Sequence, residues 1–234
     1  MTYKDLSFLD KQKYYSLLCD IITDERKRNM ESVIDLRTDY FVPVIENIHK
    51  SQNASAVLRT CDCLGIQDIV IVENNNKFSV TDDISLGANK WLNIRKYSSE
   101  GNNTKQCFND LHQAGYKIIA TMLHDNDMDL QDVSIDQKAA IVFGSEVDGI
   151  SQEAIENADL FMKIPMFGFT ESFNISVAAA ITIHYLTNKL RNSDIDWHLS
   201  KEKRLDTLIL WALQSISSKD KIEKELLFRI TDKK

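Results

Sequence analysis

Residues 104–122 read TKQCFNDLHQAGYKIIATM, and this stretch decides the fold. Residues 104–114 read as a helix, and Gly115 is a good helix stop. Lys117–Met122 (KIIATM) follows at once as a strand. The same unit recurs on both sides. Downstream, Ala139–Phe143 (AAIVF) is a strand, Ser151 caps a short helix through Asn157, and Leu160–Ile164 is the last strand. Glu153 and Glu156 fall early in that short helix, where the dipole favours acidic side chains. Upstream, Asp68–Val72 and Leu92–Tyr97 are strands, and residues 53–64 are a helix for which Asn53 is the expected N-cap. Tyr40–Ile48 (YFVPVIENI) is the first strand, and Pro43 inside it implies an edge or bulged position. Strands alternating with helices at this spacing predict an α/β fold with a mostly parallel sheet. Such sheets bind ligands in the crevice beyond the carboxyl ends of their strands.

The flanks read as helices. Residues 5–30 place Leu6, Leu9, Tyr14, Leu17, Leu18, Ile21 and Ile22 near helical spacing. Residues 174–191 form a long helix that is apolar on nearly every side, which implies burial against the sheet or against a partner subunit. His184 on it reads as a satisfied core histidine. A polar linker, 192–200, leads to two more helices, about 201–217 and 219–231. The second carries Ile222, Leu226, Leu227 and Ile230 along one stripe, so it must dock. The expected organisation is an N-terminal helical extension (1–37), an α/β domain (38–191) and a C-terminal helical extension (192–234).

Composition narrows the function classes. The 234 residues are 43% hydrophobic and 27% charged, as in a soluble globular protein. Only 7 Gly and 2 Pro argue against a turn-dense all-β fold. No apolar run approaches the ~18 residues of a membrane span, and no secretory signal is visible. Cys19, Cys61, Cys63 and Cys107 make no C-x-x-C pair, so free thiols in a reducing cytoplasm are expected. The net charge is −7, yet residues 219–234 carry +2 and residues 1–37 carry zero, which leaves −9 in the middle. A polyanion would have to meet local clusters: Arg26-Lys27-Arg28, Lys50, or Lys221 and Lys224 near the C-terminus. Taken alone, each cluster is also readable as a solvated helix face.

The common cofactor motifs fail. No two glycines are separated by one residue, which excludes G-x-G-x-x-G. Gly144–Ser151 (GSEVDGIS) has the glycine spacing of a phosphate loop, but Ile150 stands where the lysine belongs. Glu146 and Asp148 would repel a triphosphate. The histidines form no metal-ligand pair, so no metal is expected.

Three segments carry the chemistry. The first is His49–Thr60 (HKSQNASAVLRT), with Asn53, Ala56 and Arg59-Thr60 at spacings taken to share one helix face. The second is Phe143–Ile150 (FGSEVDGI), a strand end running into an acidic turn. The third is Ile164–Met166 (IPM) through Ser172-Phe173-Asn174 into Ile175–Ala180. Each alone also reads as ordinary structure: a capped helix with a surface arginine, a strand-to-helix loop, an Asn-capped core helix.

Together, in this order and spacing, they resemble the three motifs of the SPOUT-class methyltransferases, in particular the SpoU/TrmH-type RNA ribose 2′-O-methyltransferases. The resemblance covers about residues 38–191, with Gly87 and Trp91 (SLGANKW) and Ala120-Thr121 supporting it between the motifs. It implies a parallel sheet whose C-terminal part forms a deep trefoil knot, an exception to the rule that chains are unknotted. It implies S-adenosylmethionine as cofactor and a homodimer with helix 174–191 in its interface.

The resemblance also implies site residues. Arg59 matches the family's essential arginine. A guanidinium with a pKa above about 12 is a poor base, so gripping phosphate and orienting are the easier roles. Asn53 would fix the arginine or the ribose, Glu146 would orient groups at the site, and Ser172 and Asn174 would complete it, from this chain or its partner. No general base is assigned. Backbone around Thr121, Leu123, Gly144, Ile164, Met166 and Phe173 would hold the cofactor, with Phe173 standing where relatives often carry leucine. Helical extensions at both ends resemble the tRNA guanosine-18 2′-O-methyltransferases, although these extensions are only weakly basic. Methylation of ribosomal RNA, and a non-catalytic RNA-binding protein of the same fold, are the alternatives.

Overall fold

The computed structural model describes residues 2–122 and 127–231. In chain order, α1 (Phe8–Cys19) and α2 (Asp24–Ile34) precede β1 (Phe41–Glu46). There follow α3 (Ser51–Cys63), β2 (Asp68–Val72), the single turn α4 (Asp82–Ser85), β3 (Asn93–Tyr97) and α5 (Asn103–Gln113). Then come β4 (Lys117–Thr121), the two-residue β5 (Met128–Asp129), β6 (Ala139–Phe143), α6 (Gln152–Asn157) and β7 (Leu160–Lys163). The long α7 (Ile175–Arg191), α8 (Lys201–Gln214) and α9 (Lys219–Thr231) complete the order. The chain divides into two units: Thr38–Trp197, and Met1–Arg37 with His198–Lys234. Residues 192–197 therefore pack with the larger unit rather than with the C-terminal helices.

The larger unit is built on a seven-stranded sheet of order β3-β2-β1-β6-β4-β7-β5. Every pairing is parallel. Strand alternation sorts its side chains into two cores. Phe41 and Ile45 of β1 face Val57, Leu58 and Cys61 of α3 and Ala179, Ile183 and Leu186 of α7. Val42 and Val44 face the other way, with Ile118, Ala120 and Val142, toward Cys107, Phe108 and Leu111 of α5 and Ala154 of α6. Runs of consecutive apolar residues are what a sheet buried on both faces requires.

Pro43 is not at an edge, because β1 lies between β2 and β6. The bulged alternative holds. Between the bridge Thr38↔Ile66 and the pair Val44↔Val70, residues 39–43 oppose only residues 67–69. The missing N–H therefore falls where the ladder is already interrupted. The β4, β3 and β7 boundaries differ from expectation by a single residue, within the usual fraying.

In the smaller unit the expected helix 5–30 is two helices. Thr23 breaks it by accepting a hydrogen bond from Arg26 N, which caps α2. Ser7 caps α1 and Ser200 caps α8 in the same way. Tyr14 and Leu18 of α1, Met30 and Ile34 of α2, and Ile209 and Trp211 of α8 are buried, with the Arg37 guanidinium 5.3 Å from the Trp211 ring. Leu226 and Leu227 dock α9 as its stripe requires, with Ile222 and Ile230 half-buried. Lys11 is buried and paired with Asp206 at 2.8 Å.

Candidate active site

The acidic turn after β6 is set by backbone packing. Ser145 and Gly149 exchange backbone hydrogen bonds at 2.8 and 3.1 Å, and Asp148 N donates to Ser145 Oγ at 2.9 Å. Gly149 adopts φ +69°, which suits glycine. The turn thereby leads Glu146 out toward the segment after β1. There the Glu146 carboxylate accepts from His49 N at 3.0 Å, Lys50 N at 3.4 Å and Asn53 Nδ2 at 2.5 Å. Burial works against its ionisation, but these donors outweigh it and hold the carboxyl below the usual value. Asn53 Oδ1 in turn accepts from Asn174 Nδ2 at 3.2 Å. A continuous side-chain chain, Asn174–Asn53–Glu146, therefore joins all three sequence segments.

This chain borders a cleft of about 350 Å³ at the carboxyl ends of β4, β6 and β7. Thr121, Gly144, Glu146, Asp148, Ile164, Ser172 and Phe173 line it, with Phe143, Met162, Ile175 and Ala178 as apolar wall. Thr121 Oγ1 donates to Val142 O at 2.9 Å, which fixes the end of β4.

The expectations divide here. Thr121, Gly144, Glu146, Ile164, Ser172 and Phe173 come together at the cleft. Met166 is half-buried and does not line it. Leu123 lies outside the described residues. Asn53 is not an N-cap. Lys50 holds that position without a side-chain bond, and Asn53 sits in the first turn with its amide free to bond Glu146. Nor do Asn53 and Arg59 share a face. Six residues along a helix is about 9 Å of rise and 240° of net turn, so Arg59 points elsewhere. It is exposed and lines a second groove, of about 850 Å³, with Ala56, Thr60, Ala180, Ile181 and His184. Ile164 lines both hollows. His184 is exposed, because it lies on the α7 stripe turned away from the sheet rather than in the core. Val177 and Ile181 are exposed on α7 as well.

Other contributors were hardly visible in the sequence. The His49 and Lys50 amides act through backbone, which no side-chain pattern reveals. Met162 and the first turn of α7 could have been found from their place at element ends beside the acidic turn. Among the described residues no cluster of side chains could hold a metal ion. Of the basic residues, Arg26, Arg28, Lys50, Lys221 and Lys224 are exposed and Lys27 is half-buried.

Comparison with known proteins bears on this geometry. A curated tRNA (guanosine(18)-2′-O)-methyltransferase of Borreliella burgdorferi is 40% identical over 214 residues, 92% of this chain and 96% of the relative. The protein of that name from Thermus thermophilus is 34% identical, covering 69% of this chain and 81% of its own length. The crystal structure of an A. aeolicus TrmH/SpoU tRNA modifying enzyme superposes with a TM-score of 0.74 at 26% identity, covering 82% of this chain and 98% of that one. Residues 40–184, which hold the sheet, the acidic turn and most of α7, match the SpoU rRNA Methylase family, and the chain belongs to that family.

Proposed function

We propose that this chain transfers a methyl group from S-adenosylmethionine to a ribose 2′-hydroxyl of RNA, with guanosine 18 of tRNA as the target. The observation that carries this reading is the Asn174–Asn53–Glu146 chain at the border of the cleft, in a protein 40% identical over nearly its whole length to an enzyme of that name. The cleft suits the cofactor. Its volume lies within the roughly 300–1,000 Å³ of small-molecule pockets. Its apolar walls suit an adenine ring, and the carboxylates of Glu146 and Asp148 favour a sulfonium where they would repel phosphate. When bound there, S-adenosylmethionine supplies an electrophilic methyl group.

The chain's own residues then position and hold. Glu146 stays ionised, and its donors fix its direction, so it orients neighbours rather than carrying a proton at neutral pH. Asn53 and Asn174 pass that orientation to the start of α7, and Ser172 completes the rim of the cleft. Arg59 faces the adjoining groove, where its fork can grip a phosphate and align the ribose oxygen with the methyl at about 3–3.5 Å.

The exposed Val177 and Ile181 support a homodimer through α7, which would bury them and bring Arg59 to the seam. The placement of β6 between β1 and β4, with β7 beyond β4 and α7 back against β1, supports the trefoil knot. Arg26, Lys27, Arg28, Lys50, Lys221 and Lys224 are the cations offered to RNA. Free cysteines support a cytoplasmic site, and among the described residues no helix is long and apolar enough to cross a membrane.

The test is incubation with total RNA and labelled S-adenosylmethionine, followed by mapping of the 2′-O-methyl nucleotide. Label at guanosine 18 of tRNA is expected. The family's description favours ribosomal RNA as the second reading, and label there alone would replace the substrate. No label with any RNA would overturn the activity.

A further inference from the structure

Glu46 ends the apolar strand β1 and is 1% exposed. Its Oε1 accepts from Thr104 Oγ1 at 2.5 Å and from Ser151 Oγ at 2.7 Å, and its Oε2 accepts from Ser151 N at 2.9 Å. Ser151 also caps α6, accepting from Ala154 N at 3.1 Å. None of these donors is a cation. Burying a carboxylate against neutral groups is costly, and an aliphatic residue would pack in this strand at less expense. The sequence pattern makes no structural demand for Glu46, since the apolar residues around it already form the core.

What Glu46 does is visible beside Glu146. Glu46 is rooted on β1 and fastens the far end of the acidic turn, Ser151. Glu146 is rooted on that turn and fastens the segment after β1, at His49, Lys50 and Asn53. Two carboxylates thus reach in opposite directions across the same gap, Glu146 ending on the backbone N–H groups of His49 and Lys50 and Glu46 on the backbone N–H and hydroxyl of Ser151. The turn between them forms one wall of the cleft. The Ser145–Gly149 backbone pair closes the turn between Gly144 and Ser151, so few free bonds separate Ser151 from Glu146.

We propose that Glu46 is a positioning residue for the methyl-transfer site, holding the 144–151 turn at the height the cofactor cleft requires without touching cofactor or RNA. This rests on reading the cleft as the S-adenosylmethionine site. The test measures cofactor affinity by calorimetry, methyl transfer, and thermal unfolding for Glu46→Gln, Ser151→Ala, the double variant and Thr104→Val. Glu46→Gln and Ser151→Ala should each weaken cofactor binding about tenfold, the scale of one missing charge-assisted hydrogen bond. The double variant should lose no more than the worse single one, since both act through one hydrogen-bonded pair. Thr104→Val removes the Glu46 bond that does not involve the turn. It should lower the melting temperature while keeping affinity within about twofold.

Wild-type affinity in Glu46→Gln overturns the proposal. So does an affinity loss that Thr104→Val reproduces in step with lost stability, which would make Glu46 purely structural. If Glu46→Gln does not fold, Ser151→Ala decides alone, and unchanged affinity there overturns the proposal. A wild-type protein that fails to bind S-adenosylmethionine would overturn the reading of the cleft instead.

Discussion

Gly144 lies against Gly149 so closely that a Cβ on Gly144 would stand 2.2 Å from both the carbonyl carbon and the carbonyl oxygen of Gly149. Backbone atoms cannot swing aside as a side-chain end can. Gly144→Ala must therefore open the turn, at a cost of about 1–3 kcal/mol. The expected outcome is a lowered melting temperature and a weakened affinity for S-adenosylmethionine, read by calorimetry on the same sample. An alanine variant with wild-type affinity would mean that the turn is not a wall of the cofactor site.

Arg59→Ala should lower turnover by orders of magnitude and leave cofactor affinity nearly intact. Arg59 faces the groove beside the cleft and is not among the residues lining the cleft itself. An interaction made chiefly at the transition state is lost from kcat. Arg59→Lys keeps charge without the planar fork and should restore little. Near-wild-type turnover in Arg59→Ala would make Arg59 an ordinary surface residue, and in Arg59→Lys alone would show that charge suffices without the fork.

Substituting Lys221 and Lys224 together should flatten the salt dependence of RNA binding, by about one unit of slope for each phosphate no longer neutralised. Both side chains are exposed on α9, whose docking rests on Leu226 and Leu227. The melting temperature and cofactor affinity should hold. An unchanged slope would show that RNA is gripped elsewhere.

Glu146 makes stability depend on pH in a definite direction. Its folded-state pKa is lowered, so its contribution is fully present above the unfolded value near 4.5 and is lost as pH falls through the folded value. The unfolding free energy of wild type should exceed that of Glu146→Gln at pH 7, and the gap should narrow as the pH falls below 4.5 through the lowered folded value. A gap that persists in acid would contradict the hydrogen bonds from His49, Lys50 and Asn53.

The thiols should differ sharply. Cys63 is exposed, whereas Cys61 and Cys107 are buried, and burial pushes the Cys107 thiol up to about 12. An alkylating reagent at pH 8 should modify Cys63 first and reach Cys107 only on unfolding, as read by mass spectrometry of the peptides. Early labelling of Cys107 would contradict the packing of α5.

The strands were legible because a sheet covered on both faces writes itself as short apolar runs, such as AAIVF, between helix stops such as Gly115. Most of the cleft lining was legible from the second and third segments, since one ends a strand and the other opens a helix, whereas the first segment supplies none of it. What periodicity could not give was direction. Asn53 and Arg59 lie on one helix but point apart, Asn53 to Glu146 and Arg59 into the larger groove, because six residues do not complete a whole number of turns. His184 sits on a helix whose composition reads as buried all round, yet a single chain covers only part of it. The helix break at Thr23 depends on a cap that competes with continued periodicity. Glu46 was visible only as one acid in an apolar strand, and its partners come from residues 104 and 151, far along the chain.

The pairing of β1 with β6 has a consequence for how the protein is made. Phe41 and Ala139 are register partners about 100 residues apart in sequence, so at ordinary elongation rates of roughly 5–20 residues per second β1 waits about 5–20 s for its neighbour. During that time one edge of this buried strand is open. The nascent chain is then at its most vulnerable to pairing with the wrong segment, and chaperone demand should peak before residue 143 leaves the ribosome and fall once β6 slots into the middle of the sheet.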